Sequence, residues 1–307
     1  MSLAFLYAGQ GSQRAGMGRD FFGEYPEVRD IFGYAPGGLD LGTLCFDADL
    51  AELSRTEHTQ PAMGAFAAAV TRLLYGAGIT PQYAAGLSLG EYGALHAAGV
   101  FGAETLLDLL AFRGRAMADA SRGVDFGMSA VICDDASVTE RAVAETAGGV
   151  WCCNYNCPGQ IVIGGESAAV AEATKLALEY GARRALPLNV GGPFHTPFMN
   201  PAAVALSDFF AKLDFAEMKF PVVFNVTGGV LAPGGTVRGN LTEQVRSPVR
   251  FETCLRTLAA SGVDTVIEIG PGKTLSGFVR KTAPEIKTYA IDGTEDFRAV
   301  VRDLKGG

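Results

Sequence analysis

A serine flanked by two glycines is the central chemical signal of this sequence. Residues 86–90 read Gly-Leu-Ser-Leu-Gly, with small residues before them and a helical pattern after them. The Gly-x-Ser-x-Gly spacing is typical of a tight turn from a strand into a helix, which lifts the hydroxyl of Ser88 out of the sheet. The amide of Leu89 then lies unpaired at a helix N-terminus, where it can face a developing negative charge. Glycine and serine are common, so the alternative for this pattern alone is a plain turn.

A serine hydroxyl needs an adjacent base to act as a nucleophile, and the chain has three histidines. His58 lies on a polar stretch before a helix, which is typical of a surface or capping position. His96 follows Ser88 in the same predicted helix by about 12 Å along the axis, too far to reach the hydroxyl. His195 lies in a loop rich in glycine and proline, from which a polar side chain can project into a cleft. Spacing alone therefore favours His195 as the base.

The composition indicates a globular, intracellular protein, with 48% hydrophobic and 19% charged residues among 307. No apolar run reaches the roughly 20 residues that cross a bilayer, and no leader pattern opens the chain, so we expect a cytoplasmic protein that does not bind membranes. A net charge of −8 argues against a nucleic-acid binder. The clustered Cys152, Cys153 and Cys157 fit no zinc spacing, so we predict packed thiols, no disulfide framework and no metal site.

The hydrophobic pattern predicts alternating strands and helices on both sides of the serine motif. A buried strand at 3–7 opens onto a glycine-rich loop at 9–13. This loop is not a dinucleotide fingerprint, because Arg14 stands where the third glycine would be, and it lacks the Gly-Lys-Ser/Thr of a phosphate-binding loop. Helices are predicted at 20–32, at 59–74 (starting at Thr59-Gln60-Pro61), from the serine motif to 98, and at 103–121, 201–213, 241–245 and 251–260, with strands at 221–225 and 263–269.

Between residues 123 and 193 the pattern changes to that of a small α+β unit. The order of predicted elements is β-α-β-β-α-β, which is the split pattern of a ferredoxin-like unit. These elements are predicted at 128–133, 137–146, 150–155, 160–164, 167–180 and 184–188. We therefore expect an α/β protein in which residues 1–122 and 194–307 form one large domain and residues 123–193 are inserted into it.

Four motifs in one order give the chain a specific resemblance over nearly its whole length. They are Gly-Gln-Gly-Ser-Gln at 9–13, Gly-Leu-Ser-Leu-Gly-Glu at 86–91, Gly-Pro-Phe-His at 192–195 and Glu-Ile-Gly-Pro-Gly at 268–272. Together they resemble the malonyl-CoA:acyl carrier protein transacylases of fatty acid synthesis and the acyltransferase domains of polyketide synthases. The resemblance implies a large α/β hydrolase-like domain with an inserted ferredoxin-like subdomain, S-malonyltransferase activity and no cofactor.

The resemblance assigns the catalytic roles by position. Ser88 is the nucleophile and His195 the general base, and the family has no acidic third member. A backbone carbonyl in a Gln-x-x-x-Pro-Val segment orients the histidine, and here that carbonyl belongs to Gln244. The backbone N–H groups of Gln10 and Leu89 are implied to bind the oxyanion.

The resemblance also implies how the acyl group is recognised. Arg113 matches the arginine that binds the free carboxylate of malonate, and a planar guanidinium suits that bidentate contact. Its alternative is a salt bridge on a surface helix. Met117 and Phe194 are expected to line the acyl pocket, and an aromatic residue before the histidine favours malonyl over methylmalonyl. Asn156 resembles a family residue near the acyl-enzyme. Many members have histidine where this chain has Leu87, but other members also have leucine, so catalysis is not in doubt.

The implied reaction is ping-pong, with malonyl-CoA as donor and acyl carrier protein as acceptor, and we expect a monomer. Carrier proteins of this kind are acidic, so a chain of net charge −8 needs a local basic surface to dock one. Positions where the family carries basic residues are Arg183, Arg184, Arg280 and Lys281. The alternative for each pair is an ordinary solvated face.

Three other functions compete with this interpretation. A serine esterase or thioesterase would have the same nucleophile and base, but water would clear the acyl-serine. A non-catalytic module that binds carrier proteins would be expected to have lost Ser88 or His195, and neither is lost. A free-standing acyltransferase that serves a polyketide synthase is not separated from the fatty-acid enzyme by the sequence. The serine motif and Gly-Pro-Phe-His favour the fatty-acid role.

Overall fold

A computed structural model of the chain, which describes residues 1–306, contains two separate β-sheets. The strands are β1 Leu3–Tyr7, β2 Tyr83–Gly86, β3 Phe126–Ile132, β4 Val150–Cys157, β5 Gln160–Glu166, β6 Arg184–Pro187, β7 Val222–Val223, β8 Thr265–Ile269 and β9 Lys287–Ile291. The α-helices are α1 Arg19–Glu24, α2 Arg29–Gly33, α3 Leu41–Phe46, α4 Leu50–Leu53, α5 Thr56–Gly76, α6 Gly90–Ala97, α7 Ala103–Ala120, α8 Ala136–Glu145, α9 Ser167–Glu179, α10 Asn200–Phe210, α11 Val237–Gln244, α12 Phe251–Ala260, α13 Thr274–Thr282 and α14 Thr294–Lys305.

The chain divides into two compact units. The first unit comprises residues 1–115, 214–223 and those from 257 onward, and the second comprises residues 116–213 and 224–256. The predicted insertion, 123–193, therefore lies wholly within the second unit, which also contains α10 and α11. No helix within residues 1–306 is both long and apolar enough to cross a bilayer.

A parallel sheet in the order β7-β2-β1-β8-β9 organises the first unit. All five residues of β1 are buried, as expected of a central parallel strand covered on both faces. Tyr7 at the end of β1 pairs with Gly86 of β2 and with Ile269 of β8. Because parallel strands end at the same edge, this register brings together the loops that follow β1, β2 and β8. Three of the four sequence motifs therefore meet at one edge of the sheet.

An antiparallel sheet in the order β4-β5-β3-β6 organises the second unit. The element order and strand order are those of a ferredoxin-like unit, so this prediction of fold class is confirmed. Val131, Ile161 and Ile163 of the sheet and Ala142 and Ala173 of α8 and α9 belong to one buried cluster. Alternation along the strands explains this core, because every second side chain of a strand points to the same face.

Several predicted boundaries were wrong, and two of them lie next to a proline. The helix expected at 20–32 is interrupted at Tyr25, which is extended (φ −120°, ψ 95°) because the α conformation is disfavoured before Pro26. The helix expected to start at Thr59 begins at Thr56, so Pro61 lies inside its second turn. The strand expected at 221–225 is reduced to β7, because Gly228 donates a backbone hydrogen bond to Phe224 and the chain turns there.

Candidate active site

The turn between β2 and α6 presents Ser88 in a strained backbone conformation. Ser88 has φ of 54°, in the left-handed region that side chains rarely adopt. A Cβ on Gly86 would overlap the backbone of Gly90, and a Cβ on Gly90 would overlap the carbonyl group of Tyr7. Both flanking positions therefore require glycine, because the turn is packed directly on itself and on β1.

Strain of this kind is confined to two residues of the sequence motifs. Within residues 1–306, Ser88 and His195, with φ of 62°, are the only non-glycine residues with positive φ. Such conformations cost on the order of 1–3 kcal/mol and cluster at functional sites. The backbone therefore singles out the same two side chains that the sequence assigns as nucleophile and base.

Arg113 of α7 lies buried beside the serine in the first unit. Its side chain is 1% exposed. Its Nη2 donates to the Oγ of Ser88 at 3.2 Å and its Nη1 donates to the Oε1 of Gln60 at 2.8 Å. The ring of Tyr92 lies 5.3 Å from the guanidinium carbon, within the range of a cation–π contact. The alternative of a surface salt bridge is therefore wrong, because the guanidinium is inside the protein.

The electrostatics around Arg113 suit an anionic group. Burial lowers the pKa of the guanidinium, while Tyr92 and Glu91 act in the opposite direction. Arginine starts so far above neutrality that it stays charged when buried. A fixed positive charge within hydrogen-bonding distance of the serine hydroxyl can bind a carboxylate on the group that the serine attacks.

The two amides assigned to the oxyanion lie in the first unit, in the loops after β1 and β2. Leu89 is buried and is the N-cap residue of α6, whose first turn begins with hydrogen bonds from Gly90 to Leu87 and from Glu91 to Ser88. Within residues 1–306 the structure records no hydrogen bond donated by the backbone N–H of Leu89 or Gln10. An amide at such a position can donate to a ligand.

His195 lies in the second unit, where a backbone carbonyl orients its ring. The side chain is 4% exposed, and its Nδ1 is 2.8 Å from the carbonyl oxygen of Gln244. Because a carbonyl can only accept, Nδ1 carries the proton and Nε2 is left as an acceptor. The backbone N–H of His195 also donates to the carbonyl of Val245 at 3.2 Å. The last turn of α11 thus fixes both the backbone and the tautomer of this histidine.

Met117, Phe194 and Asn156, the residues expected around the acyl group, are all buried in the second unit. A Cβ on Gly192 would overlap the hydroxyl of Ser121, so glycine lets the loop that carries Phe194 pack closely there. Asn156 is 7% exposed, and its Oδ1 has no hydrogen-bond partner within residues 1–306. A buried acceptor of this kind is free to bind a ligand donor.

A cavity of about 330 Å³ in the second unit reaches His195. Trp151, Cys152, Tyr155 and Arg246 are among its lining residues. Burial raises the pKa of the Cys152 thiol to about 11, so this thiol is protonated at neutral pH. Within residues 1–306 no group of three or more His, Cys, Asp or Glu side chains could hold a metal ion.

The four basic residues considered for docking are exposed. Arg183 forms an ion pair with Asp134, which offsets its charge. Arg280 and Lys281 lie in the last turn of α13, in the first unit. No ion pair is recorded for Arg184, Arg280 or Lys281 in the described part of the chain.

The remaining two histidines have ordinary structural roles. The Nδ1 of His58 lies 3.0 Å from a carboxylate oxygen of Glu52. The Nδ1 of His96 lies 3.0 Å from the carbonyl oxygen of Phe101. Burial lowers the pKa of His96, and Arg72 lowers it further against the opposing effect of the Phe101 hydrogen bond.

Sequence reasoning missed two residues that surround Arg113. Gln60 belongs to the predicted helix start, but a glutamine in an alanine-rich, buried helix is an unusual polar residue that requires a partner. Tyr92 follows Ser88 by one helical turn. That spacing predicts that the ring of Tyr92 lies near the side chain that contacts the serine, which is Arg113.

Comparisons with known proteins agree with this geometry. The family model described as "Acyl transferase domain" matches residues 4–299. A malonyl CoA-acyl carrier protein transacylase of Bacillus subtilis is 40% identical over 308 residues, which cover 99% of this chain and 97% of that protein.

Two solved structures are also similar. The malonyl CoA-acyl carrier protein transacylase of Clostridium perfringens superposes with a TM-score of 0.95 at 35% identity, and the match covers 100% of this chain and 98% of that chain. A malonyl-transacylase in complex with a type II polyketide synthase acyl-carrier protein superposes with a TM-score of 0.94 at 34% identity, and the match covers 99% of this chain and 100% of that chain. These matches confirm the resemblance that the four motifs indicated.

Proposed function

Because the chain belongs to the acyl transferase domain family, we propose that it transfers a malonyl group from malonyl-CoA to the thiol of acyl carrier protein. The observation that carries this proposal is the buried guanidinium of Arg113, 3.2 Å from the Oγ of Ser88. One methylene separates the carboxylate of a malonyl group from its thioester carbonyl. A carboxylate receptor for this acyl group must therefore lie beside the nucleophile, as Arg113 does.

In the first half-reaction, Ser88 attacks the thioester carbonyl of malonyl-CoA. We assign His195 as the base that takes the hydroxyl proton on Nε2, since its Nδ1 is engaged by the carbonyl of Gln244. The amides of Gln10 and Leu89 are assigned to the oxyanion. Collapse of the tetrahedral intermediate breaks the C–S bond, and the thiolate of coenzyme A leaves with the proton from His195. The product is a malonyl-serine ester.

In the second half-reaction, the phosphopantetheine thiol of the carrier protein attacks this ester. His195 takes the thiol proton and returns it to the Oγ of Ser88 as the C–O bond breaks. Arg113 holds the malonyl carboxylate through both steps, and Met117, Phe194 and Asn156 surround the acyl group in this assignment. The chemistry uses side chains and backbone amides throughout, so the proposed enzyme needs no cofactor. We also propose that it is a monomer and acts in the cytoplasm.

The carrier protein defines the pathway, and fatty acid synthesis is the proposed role. The similar malonyl-transacylase in complex with a type II polyketide synthase acyl-carrier protein makes polyketide synthesis the second candidate. For either partner, Arg184, Arg280 and Lys281 are stronger docking candidates than Arg183, because Arg183 is paired with Asp134.

Initial rates at varied concentrations of both substrates test the proposal. A ping-pong enzyme gives parallel double-reciprocal lines, because coenzyme A leaves before the carrier protein reacts. Intersecting lines would contradict the malonyl-enzyme intermediate. Release of malonate at the rate of coenzyme A release, with no malonyl carrier protein formed, would indicate a thioesterase instead.

A further inference from the structure

A glutamine that the proposed function does not use holds the loop after β1. The Oε1 of Gln13 accepts a hydrogen bond from the backbone N–H of Gly11 at 2.7 Å. Its Nε2 donates to the Oγ of Ser54, the C-cap residue that follows α4, at 3.1 Å. One side chain therefore clamps the loop internally and ties it to the segment between α4 and α5.

The clamped loop contains a β-turn whose geometry fixes the direction of the Gln10 amide. The N–H of Ser12 donates to the carbonyl of Gly9 at 3.4 Å, and Gly11 has φ of 101°, the sign that a type II turn requires at this position. A trans peptide places its C=O and N–H on opposite sides. Because the carbonyl of Gly9 points into the turn, the N–H of Gln10 in the same peptide points out of it.

This turn packs against the loop that carries the serine. A Cβ on Gly9 would lie 2.6 Å from the carbonyl oxygen of Leu87, the residue before Ser88. The N–H of Ala8 donates to the carbonyl of Ile269 at 3.0 Å, which fixes the chain as it enters the turn. Small changes in the turn therefore change where the Gln10 amide lies relative to the serine loop.

We propose that Gln13 is a positioning residue for acyl transfer, which keeps this turn in the conformation that presents the Gln10 N–H to the oxyanion. The inference rests on the proposed function. Removing the bond from the N–H of Gly11 to the Oε1 of Gln13 frees the central Gln10–Gly11 peptide, and removing the tie to Ser54 frees the turn to move against the serine loop. The N–H of Gln10 still points out of the turn, but its position relative to the Oγ of Ser88 is no longer fixed. The bond from the Nε2 of Gln10 to the Oγ1 of Thr56 at 3.3 Å keeps the loop attached to the start of α5 without holding the Gly11 peptide.

A pair of matched variants tests this role. Gln13→Leu removes the clamp while keeping a side chain of similar size. Gln82→Leu is the control, because the Oε1 of Gln82 accepts from the N–H of Leu3 at 2.6 Å, at the opposite end of β1. The measurements are kcat and KM for malonyl-CoA at saturating holo-acyl carrier protein, with the thermal unfolding of each variant.

We expect Gln13→Leu to lower kcat by about 10- to 100-fold with KM for malonyl-CoA within about 3-fold, because the oxyanion develops during the reaction and is absent from the bound thioester. Gln82→Leu should leave both constants within about 2-fold of the wild type. An unchanged kcat in Gln13→Leu, an equal loss in Gln82→Leu, or a loss that appears in KM would overturn the proposal.

Two further variants keep the test decisive. Gln13→Glu retains an acceptor for the N–H of Gly11, so its kcat should stay within about 5-fold of the wild type. A loss as large as that of Gln13→Leu would contradict the clamp.

If Gln13→Leu does not fold, Ser54→Ala removes only the hydrogen bond between Gln13 and Ser54 and should lower kcat about 3-fold or more at unchanged KM. An unchanged kcat in Ser54→Ala would refute the positioning role of Gln13. A wild type that forms no malonyl ester on Ser88 would refute the proposed function; an active wild type with an unaffected Gln13→Leu would refute only this inference.

Discussion

Arg113→Ala is the perturbation that most sharply separates recognition of the acyl group from catalysis. In the structure Arg113 is 1% exposed and donates to Gln60 and Ser88, so a malonyl carboxylate would meet a guanidinium that is already desolvated and oriented. A hydrogen bond to a charged group contributes about 1.5–3 kcal/mol. Two parallel bonds from the guanidinium to the carboxylate would therefore contribute about 3–6 kcal/mol.

The variant should lose that contribution for malonyl-CoA only. At about 1.4 kcal/mol per factor of ten, kcat/KM for malonyl-CoA should fall by on the order of 10²–10⁴. Acetyl-CoA has no carboxylate, so it should lose only what the contact between Arg113 and the Oγ of Ser88 supplies. The loss of this contact with Ser88 affects both substrates equally, so it cancels in the ratio of their kcat/KM values.

The assay is the kcat/KM of each thioester with the same carrier protein, for wild type, Arg113→Ala and Arg115→Ala. Arg115 is an exposed arginine on the same helix, so its loss controls for a change in helix charge. The ratio of malonyl to acetyl should collapse in Arg113→Ala and stay unchanged in Arg115→Ala. An unchanged ratio in Arg113→Ala would mean that another group binds the carboxylate.

Two further predictions concern stability. Gly90→Ala should lower the free energy of unfolding in urea by about 1–3 kcal/mol or more, because the new Cβ would overlap the carbonyl of Tyr7. The control is Gly23→Ala, on an open face of α1, which should be neutral or stabilising by up to about 1 kcal/mol. Equal effects of the two substitutions would contradict the close contact between Gly90 and Tyr7. His96 has a lowered pKa in the fold, so its contribution to stability is present above the unfolded pKa of about 6.5 and is lost as pH falls below it, at no more than about 1.4 kcal/mol per pH unit. Unfolding free energies at pH 7.5 and about 5.5 should therefore differ less in His96→Gln than in the wild type, and an equal difference would refute this assignment.

The ferredoxin-like unit was predictable because its signals are local. Alternation or short apolar runs mark the strands at 126–132, 150–157 and 160–166. Turn residues separate the helix at 136–145 from the strands on either side of it. The helix at 251–260 was predicted at both ends. Two of the wrong helix boundaries lie next to a proline. Pro26 breaks the first predicted helix, and Pro61, which is typical of a helix start, lies inside α5.

The start of α5 could not be predicted because tertiary packing decides it. Pro61 costs the helix one hydrogen bond to Glu57, but the first turn is held by its neighbours. Thr59 donates through its Oγ1 to the carbonyl of Leu53 at 2.6 Å, and Gly114 of α7 packs against the backbone at Thr56. The contact between Gly114 and Thr56 joins residues that are distant in sequence, which no local pattern contains.

The candidate site was predictable where a motif fixes a backbone conformation. The glycines around Ser88 and before His195 are needed for close packing, so their spacing indicated both residues. The surroundings of Arg113 were not predictable, because Gln60, Tyr92 and Ser88 come from separate helices and turns that the fold brings together. The clamp made by Gln13 was missed for the same reason, since Ser54 lies in a different element.

The most direct test of the central claim is the intact mass of the protein after exposure to malonyl-CoA without an acceptor, followed by addition of holo-acyl carrier protein. Wild type should gain one malonyl group, mapped to Ser88, that persists in water and leaves when the carrier protein is added. Ser88→Ala should gain none while remaining folded, and acetyl-CoA should label the wild type far less than malonyl-CoA. Free coenzyme A and malonate accumulating without a persistent adduct, or an adduct retained in Ser88→Ala, would contradict the account.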